Sequence, residues 1–296
     1  MSSAEFTGSL ERFTIVGLGM LGGSIAKDLR EKMPNAEISA IDPNEDSVGQ
    51  AMAEGVVNRA ETYEGIGRAA CFVIITSPLE TVAPIARELS SAISDDGKIS
   101  KDGKWVVMDT ASVKTDITST FESLTDERVE FISTHPMAGT EFAGYPHSRK
   151  HLFRAKPWIV CRHDQNTEES IRMAEDLIHI LGGRAREIDA EKHDQQAAVV
   201  SHSVIMLSNL FFDFVASRYP EALEVAGDGF NSTTRLASGN PRLHEEILKL
   251  NRHVTGEVLG EFKDYLGSVV GSNLALPEGF FERNKKKRDQ WLHRLH

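Results

Sequence analysis

An apolar run followed by closely spaced glycines, near the start of the chain, is the feature that most constrains the fold. The run spans residues 13–16, and the glycines follow in the pattern Gly17-x-Gly19-x-x-Gly22. Beyond the first glycines, apolar residues recur at every fourth position, as on one face of a helix: Leu21, Ile25, Leu29 and Met33. The sequence therefore predicts a buried strand, a tight turn and a helix, in that order.

This order of elements suits a turn that binds dinucleotide phosphates. Gly17 permits the tight turn, Gly19 leaves room for a pyrophosphate, and Gly22 lets the helix pack closely on the strand. The amino end of the helix supplies free N–H groups and partial positive charge to the phosphates. We therefore expect the cofactor to contact the whole turn: Gly17, Leu18, Gly19, Met20, Leu21 and Gly22.

Asp42 is the predicted ribose ligand of that cofactor. It ends a second apolar run, residues 38–41, and follows the last glycine of the motif by about 20 residues, the spacing expected for such an acidic residue. A carboxylate there accepts hydrogen bonds from the adenosine ribose and repels a 2′-phosphate, which favours NAD over NADP. The alternative is an ordinary α/β turn in which Asp42 caps a helix over residues 44–54.

Strand-like and helix-like runs alternate as far as residue 188, which predicts a Rossmann-type domain with a mostly parallel sheet. The predicted strands span residues 13–18, 37–42, 71–76, 104–109, 129–134, 157–161 and 184–188. The predicted helices between them span residues 20–33, 44–54, 78–92, 114–124 and 167–181. Ligands bind beyond the carboxyl ends of parallel strands. We therefore expect Ser77, Pro78 and Thr110, which follow two of these strands, beside the cofactor.

After residue 188 the strand-like pattern stops, and we place a domain boundary between residues 1–188 and an all-α region over residues 189–296. A long helix is predicted over residues 192–218, followed by helices over 241–253, 254–271 and 277–292. The long helix is apolar on two faces, and a region of this size has little interior in which to bury both. We expect it to form the interface of a homodimer; the alternative is the central helix of its own bundle.

Composition narrows the possible partners. The 296 residues carry a net charge of −11, which argues against nucleic acid and anionic membranes. The N-terminus has no apolar signal core, and the apolar stretch over residues 199–215 is too polar and too short for a membrane span of ~20 residues. Cys71 and Cys161 lie in apolar runs, which fits buried thiols in a reducing cytoplasm. No ligand spacing typical of a metal site is present, so we expect no metal.

Several further motifs resemble the prephenate and arogenate dehydrogenase family. They are Asp109-Thr110-Ala111-Ser112-Val113-Lys114, residues 133–141 (STHPMAGTE), His193-Asp194-Gln195, Ser201-His202 and residues 229–237 (GFNSTTRLA). The resemblance extends from about residue 13 to Trp291. It implies an oxidative decarboxylation, in which a cyclohexadienyl substrate gives a hydride to the nicotinamide. The ring carboxylate leaves as CO2, and the ring becomes aromatic.

The resemblance also implies roles for three residues of the reaction centre. His135 would accept the proton of the ring hydroxyl, and Ser112 would share that contact near the nicotinamide. Arg235 would hold a substrate carboxylate with its planar, two-pronged guanidinium. Structural roles remain possible for each: a strand-end contact for His135, a helix cap for Ser112, and an internal salt bridge for Arg235.

Three further residues would face the substrate, by the same resemblance: His202, Glu141 and Asp194. His202 lies on an otherwise apolar stripe of the long helix, so a core histidine satisfied by one hydrogen bond is an equal alternative. For Glu141 and Asp194 the alternative is solvated surface charge.

The substrate stays open between prephenate, arogenate and both. Many family members carry a second histidine three residues after His202, where this chain has Ile205. We favour prephenate because Asp42 indicates NAD, whereas arogenate-type relatives tend toward NADP. Two other functions remain. One is a β-hydroxyacid dehydrogenase or imine reductase, which would work with Lys192 or Asp194; the other is a non-catalytic dinucleotide sensor.

Overall fold

A computed structural model of the chain describes residues 12–66, 72–95, 105–124, 128–140 and 142–295. Cys71 and Glu141, both singled out above, lie outside these ranges. Within them, the predicted succession of an α/β domain and a helical region is confirmed. The division at residue 188 stays a prediction.

The described residues form an eight-stranded sheet with the order β3-β2-β1-β4-β5-β6-β7-β8. Its strands are β1 (Arg12–Val16), β2 (Glu37–Ile41), β3 (Arg59–Ala60), β4 (Phe72–Ile75), β5 (Trp105–Asp109), β6 (Val129–Pro136), β7 (Pro157–Cys161) and β8 (Arg184–Glu187). The order reverses between β1 and β4, which are neighbours in the sheet. Beyond the carboxyl ends of these two strands lies the crevice in which α/β sheets bind ligands.

The sheet is mostly parallel, as predicted, but β7 runs antiparallel to β6. A parallel neighbour requires a crossover connection, which is usually a helix. The described part of the connection from β6 to β7 has only a short 3-10 turn, Tyr145–His147. The chain therefore returns beside β6 in the opposite direction, and His135 pairs with Ile159 in the register.

Helices cover both faces of the sheet, and the described elements after β8 are all helical. The helices are α1 (Met20–Lys32), α2 (Glu45–Ala53), α3 (Tyr63–Ile66), α4 (Leu79–Asp95), α5 (Thr115–Ser123), α6 (Glu168–Ile180), α7 (Ala190–Ala197), α8 (Ser203–Arg218), α9 (Asp228–Thr234), α10 (Pro241–Leu250), α11 (Arg252–Gly271) and α12 (Phe280–Leu295). The short α3 and α9, and the short strand β3, were not predicted. Each is too brief to establish a periodicity in the sequence.

The core has two parts, one on each face of the sheet. Along β4, Phe72 and Ile74 belong to one apolar cluster, whereas Val73 and Ile75 belong to the other. Successive side chains of a strand point to opposite faces. A strand that is apolar at every position must therefore be covered on both sides, as the central strands of this sheet are.

Helices α7 and α8 are continuous through a π-helical turn, Ala198–His202, and together form the predicted long helix. Its first half packs on α5 and β7. Its second half presents an apolar surface to solvent in the single chain. Seven residues of the π-helical turn and α8 are each at least 41 % exposed: Val199, Val200, Val204, Leu210, Phe211, Phe212 and Phe214.

The stretch over residues 199–215 was predicted to be too short and too polar for a membrane span. Judged only by length and composition, this prediction is wrong. The continuous helix, Ala190–Arg218, has 29 residues and is long and apolar enough to span a membrane. The same two properties occur in helices that pack against protein. The contacts of α7 with the sheet domain show that its first half does pack against protein.

A buried ion pair joins the carboxyl ends of β5 and β6. Lys114 is fully buried, and its Nζ donates to Oδ2 of Asp109, which is also fully buried. The Nζ donates a second bond to the carbonyl oxygen of Thr134, at 2.7 Å. The remaining carboxylate oxygen, Oδ1 of Asp109, accepts the backbone N–H of Thr134 at 2.9 Å. Ala111 donates its backbone N–H to Oδ2, so this pair holds both strand ends and the loop after β5.

Replacing Lys114 by methionine should destabilise the fold. The substitution keeps most of the side-chain volume but leaves the Asp109 carboxylate buried without its cation, which typically costs about 3–5 kcal/mol. The free energy of unfolding in urea, measured at one protein concentration, tests this. The matched control is Lys285→Met, which removes an exposed partner of Asp289 and should cost less than about 1 kcal/mol. Equal losses in the two variants would contradict the expectation.

Candidate active site

A cleft with a volume of about 570 Å³ lies between the carboxyl edge of the sheet and the C-terminal helices. One wall is formed by the glycine turn after β1 and by the loops after β4, β5 and β6. The opposite wall is formed by the π-helical turn, the 3-10 turn Arg235–Ser238 and α10. Residues from both parts of the chain therefore line one cavity.

The glycine turn has the geometry that the sequence predicts. Gly17 has a φ of +94°, which favours glycine, and a Cβ there would lie 2.8 Å from the backbone nitrogen of Ser77. A Cβ on Gly22 would overlap the carbonyl oxygen of Gly17. Helix α1 follows at once, with Gly19 as an N-cap that makes no side-chain capping bond. Its first N–H groups are thus available to an anion.

Of the predicted cofactor ligands, six line the cleft: Gly19, Met20, Leu21, Ser77, Pro78 and Thr110. The other four do not: Gly17 and Gly22 shape the turn, Leu18 is fully buried in the core, and Asp42 lies beside the turn, outside the cleft lining. The open position is Gly19, because a Cβ there would meet nothing within 4 Å. The turn therefore has the space that a pyrophosphate requires.

Asp42 lies at the end of β2, beside the glycine turn. Its Oδ2 accepts the backbone N–H of Leu18, and its Oδ1 accepts that of Asn44 at 2.7 Å. The alternative in which Asp42 caps the next helix is wrong, because Asn44 is the N-cap of α2 and accepts from Asp46 and Ser47. Each carboxylate oxygen retains a second lone pair that could accept from a ribose hydroxyl.

His135, at the end of β6, is only 8 % exposed and lines the cleft. Its Nδ1 lies 2.9 Å from Nε2 of His193, a residue of α7. Burial lowers the pKa of His135 well below its usual value, and the neighbouring His193 and Lys114 lower it further. The imidazole is therefore neutral at neutral pH and has one nitrogen able to accept a proton.

Asp194 does not line the cleft, contrary to the expectation that it faces the substrate. Its Oδ1 accepts from Nδ1 of His193 and from the backbone N–H of Lys114, both at 2.8 Å. Its Oδ2 accepts the backbone N–H and the hydroxyl of Thr115. The carboxylate thus caps the amino end of α5 from the neighbouring α7. Asp194 is buried behind His135 and is not part of the cleft wall.

His202 also lies away from the cleft, so the core alternative is correct for it. The side chain is fully buried, and its Nδ1 accepts from the amide of Asn251 at 3.1 Å. Burial lowers its pKa to about 4. The helix stripe gives no sign of this partner, because Asn251 lies between α10 and α11, far from His202 in the sequence.

Ser112 and Arg235 line the same cleft as His135 and the glycine turn. Ser112 is not a helix cap, because α5 begins at Thr115 with Lys114 in the N-cap position. Arg235 begins the 3-10 turn that follows α9. The structure therefore brings together a hydroxyl and an imidazole from the sheet domain and a guanidinium from the helical region.

Sequence reasoning missed a second arginine in the cleft wall. Arg242, on α10, pairs with Glu80 of α4 and donates from Nε to Glu246 at 3.0 Å. The pair with Glu80 joins the helical region to the sheet domain at the cleft, whereas the bond to Glu246 lies within α10. The sequence around Pro241 and Arg242, in the first turn of α10, contains no motif that indicates this role. Arg242 meets Glu80 only because α10 packs against α4.

Two further positions bear on the alternatives left open above. Ile205 lines the cleft, at the place where many family members carry histidine. Lys192 is exposed and does not line the cleft. It is the lysine that would act if the protein were a β-hydroxyacid dehydrogenase or an imine reductase. Within the described ranges, no group of three or more His, Cys, Asp and Glu side chains could hold a metal ion.

Replacing Gly19 by alanine should weaken NADH binding while leaving the fold intact. The added methyl meets no protein atom but occupies the space above the amino end of α1, so we expect a loss of about tenfold or more in affinity, or about 1.4 kcal/mol. Titration of the nucleotide's fluorescence measures it. Gly49→Ala is the control, since a Cβ there is equally open but lies on α2. Unchanged binding by the Gly19 variant would remove the turn from the cofactor site.

Comparison with known proteins identifies both parts of the chain. Residues 25–187 match the family model described as prephenate dehydrogenase, nucleotide-binding domain. Residues 189–270 match the model described as prephenate dehydrogenase, dimerization domain. The two models together cover most of the chain, including His135 in the first and Arg235 in the second.

Individual relatives agree with these models. A prephenate dehydrogenase of Lactococcus lactis is 27% identical over 288 residues, covering 94% of this chain and 77% of the relative. A cyclohexadienyl dehydrogenase of Zymomonas mobilis is 26% identical, covering 85% of each chain. The crystal structure of prephenate dehydrogenase from A. aeolicus, with hydroxyphenyl propionate and NAD+, is similar with a TM-score of 0.83. Its sequence is 25% identical, and the match covers 97% of this chain and 99% of that one.

Proposed function

We propose, since this chain belongs to the prephenate dehydrogenase family, that it oxidatively decarboxylates prephenate to 4-hydroxyphenylpyruvate, with hydride transfer to NAD. The observation that carries the proposal is the shared cleft. His135, Ser112 and Arg235 line the same cavity as Gly19 and the amino end of α1. A ring held between these groups lies next to the place where a nicotinamide cofactor would be held.

The cofactor site fits NAD. Gly19 leaves space for the pyrophosphate, the first turn of α1 has no acidic residue and no side-chain cap, and Asp42 stands at the end of β2. NAD, when bound, accepts the hydride from the ring carbon that bears the hydroxyl. A carboxylate at position 42 suits the ribose hydroxyls of NAD better than the 2′-phosphate of NADP.

His135 would accept the hydroxyl proton while the hydride leaves. Its burial and the nearby cation Lys114 keep the imidazole neutral, which is the form that can accept. Ser112 would hold the same hydroxyl from the loop after β5. A positioned base of this kind contributes roughly 10²–10⁴-fold to a rate.

Arg235 would hold a carboxylate of the substrate at the opposite wall. Because the protein carries a net charge of −11, a dianionic substrate gains little from long-range attraction and depends on local cations. A guanidinium can bind a carboxylate with two parallel hydrogen bonds, which fixes orientation as well as position. The ring is thereby set between the arginine and the imidazole.

Replacing His135 by asparagine should abolish most turnover without weakening NAD binding. The amide can keep the bond to His193 but cannot accept a proton, so kcat with prephenate should fall by about 10²–10⁴-fold. NADH formation and release of CO2 measure it, and an NADH titration checks binding. His179→Asn, at an exposed position of α6, is the control. Turnover within threefold of the unsubstituted protein would remove His135 from the reaction.

Arogenate is the second candidate substrate, and Ile205 is the observation that favours it. An apolar residue at this position of the cleft wall resembles arogenate-type enzymes rather than the members with a second histidine. The ratio of kcat/KM for the two substrates decides between them. Activity with neither substrate would overturn the proposed function itself.

The exposed face of α8 is the proposed interface of a homodimer. The face belongs to the segment that matches a dimerization domain, and it continues onto α11, where Phe262, Tyr265, Leu266 and Val270 are also exposed. A continuous apolar surface of this kind marks an interaction site. We therefore propose a second copy of this chain as its occupant, in the cytoplasm, rather than a lipid bilayer.

Replacing Leu210 by aspartate should separate the proposed dimer. Burying an unpaired carboxylate between two apolar surfaces costs several kcal/mol, so the subunits would no longer associate at micromolar concentration. Sedimentation velocity should give twice the 32.7 kDa of one chain before the substitution, and a single chain after it. Met52→Asp, on an exposed apolar residue of α2, should remain a dimer. A single chain without any substitution would refute the proposal.

A further inference from the structure

We propose that His193 and Asp194 are positioning residues that fix the tautomer of His135 and share the proton it takes up. The inference rests on the proposed function, in which His135 is the proton acceptor. It adds two residues that do not touch the substrate. The observation behind it is a continuous chain of hydrogen bonds, from His135 through His193 to Asp194.

The direction of these hydrogen bonds follows from the carboxylate. Asp194 is buried, which raises its pKa, but its hydrogen bonds from His193 and Thr115 outweigh burial and leave the pKa below its usual value. An ionised carboxylate only accepts hydrogen bonds. Nδ1 of His193, 2.8 Å from Oδ1 of Asp194, must therefore carry a hydrogen.

The tautomer of His135 follows in turn. A neutral His193 with its hydrogen on Nδ1 has only a lone pair on Nε2. The atom facing that lone pair, at 2.9 Å, is Nδ1 of His135, which must donate. A neutral His135 then has its own lone pair on Nε2, the nitrogen that can accept a proton from a ligand. The arrangement excludes the tautomer that could not act as a base.

The same chain of hydrogen bonds, from His135 to His193, can move two protons. As the hydride leaves, the hydroxyl proton passes to Nε2 of His135, and the proton on Nδ1 passes to Nε2 of His193. His193 keeps its Nδ1 proton, so the positive charge resides next to Asp194. Cleavage of the bond to the carboxylate gives its electron pair to the ring, and the oxygen becomes a phenolate. Both protons then return along the same path, so none is released.

The charges around the two imidazoles favour this movement. His135 is close to Lys114, from the start of α5, which disfavours a second positive charge. His202 lies behind the pair and is itself neutral. The anions are Asp109, already paired with Lys114, and Asp194, which is in contact with His193. Of the two imidazoles, His193 is therefore the better place for the proton.

The tautomers can be tested without turnover. In protein labelled with ¹⁵N-histidine, the signals of His135 and His193 are identified by their loss in His135→Asn and His193→Gln. We expect both residues to be protonated on Nδ1 and unprotonated on Nε2 at neutral pH. Protonation of His135 on Nε2 would overturn the inference. This measurement does not depend on which substrate the enzyme uses, so its failure is distinct from failure of the proposed function.

The proton sharing is tested by pH profiles of His193→Gln and Asp194→Asn. Glutamine can accept the hydrogen bond from His135 but cannot take its proton, so we expect kcat to fall by about a hundredfold. In Asp194→Asn, the positive charge on the pair of His135 and His193 loses its neighbouring carboxylate. The pKa of this pair of imidazoles should therefore fall. The acidic limb of kcat/KM should therefore move to lower pH in both variants.

The control for these pH profiles is a substitution of a buried histidine outside the cleft. His163→Gln replaces another buried histidine, which bonds to the carbonyl oxygen of Phe131 away from the cleft, and should leave the profile unchanged. A purely structural role for His193 would reduce activity equally at every pH. An unmoved limb in both variants, with NADH binding retained, would refute the sharing of the proton.

Discussion

The ion pair between Lys114 and Asp109 is the interaction on which the candidate site depends. It is fully buried where β5 and β6 end. Through it, the ammonium group holds the carbonyl of Thr134, the residue just before His135, and the carboxylate holds the N–H of Thr134 and Ala111. Such a pair contributes little net stability, because desolvation offsets its attraction. What it provides is a fixed position for the loops that carry Ser112 and His135.

The packing of the helical region on the sheet domain also involves Lys114. The backbone N–H of Lys114 is capped by Asp194, which belongs to α7 and not to the sheet domain. The capping carboxylate also holds His193, and His193 contacts His135. One carboxylate thus fixes how α7 sits on the sheet and, through His193, which group faces the imidazole of His135. A displacement of α7 would therefore change the surroundings of His135.

The fold and one wall of the site could be predicted because local patterns determine them. The glycine spacing after β1 requires a left-handed turn at Gly17, and strands apolar at every position require helices on both faces. The antiparallel β7 was not predictable, since strand direction depends on whether the connection forms a helix. Ser112, His135 and Arg235 were found through motifs, and the structure places them in one cleft. Their roles remain predictions.

The errors at Asp194 and His202 share one physical cause. Both residues lie on one continuous helix, His202 on an otherwise apolar stripe and Asp194 in the polar first turns. A polar residue on such a helix has two possible explanations. Either a ligand satisfies it or a neighbouring element does, and the sequence does not show which element packs there. Here the neighbours are the amino end of α5 for Asp194 and Asn251 for His202. Because buried polar groups must be satisfied, the carboxylate of Asp194, which was expected to face the substrate, instead accepts hydrogen bonds from His193 and from the amino end of α5.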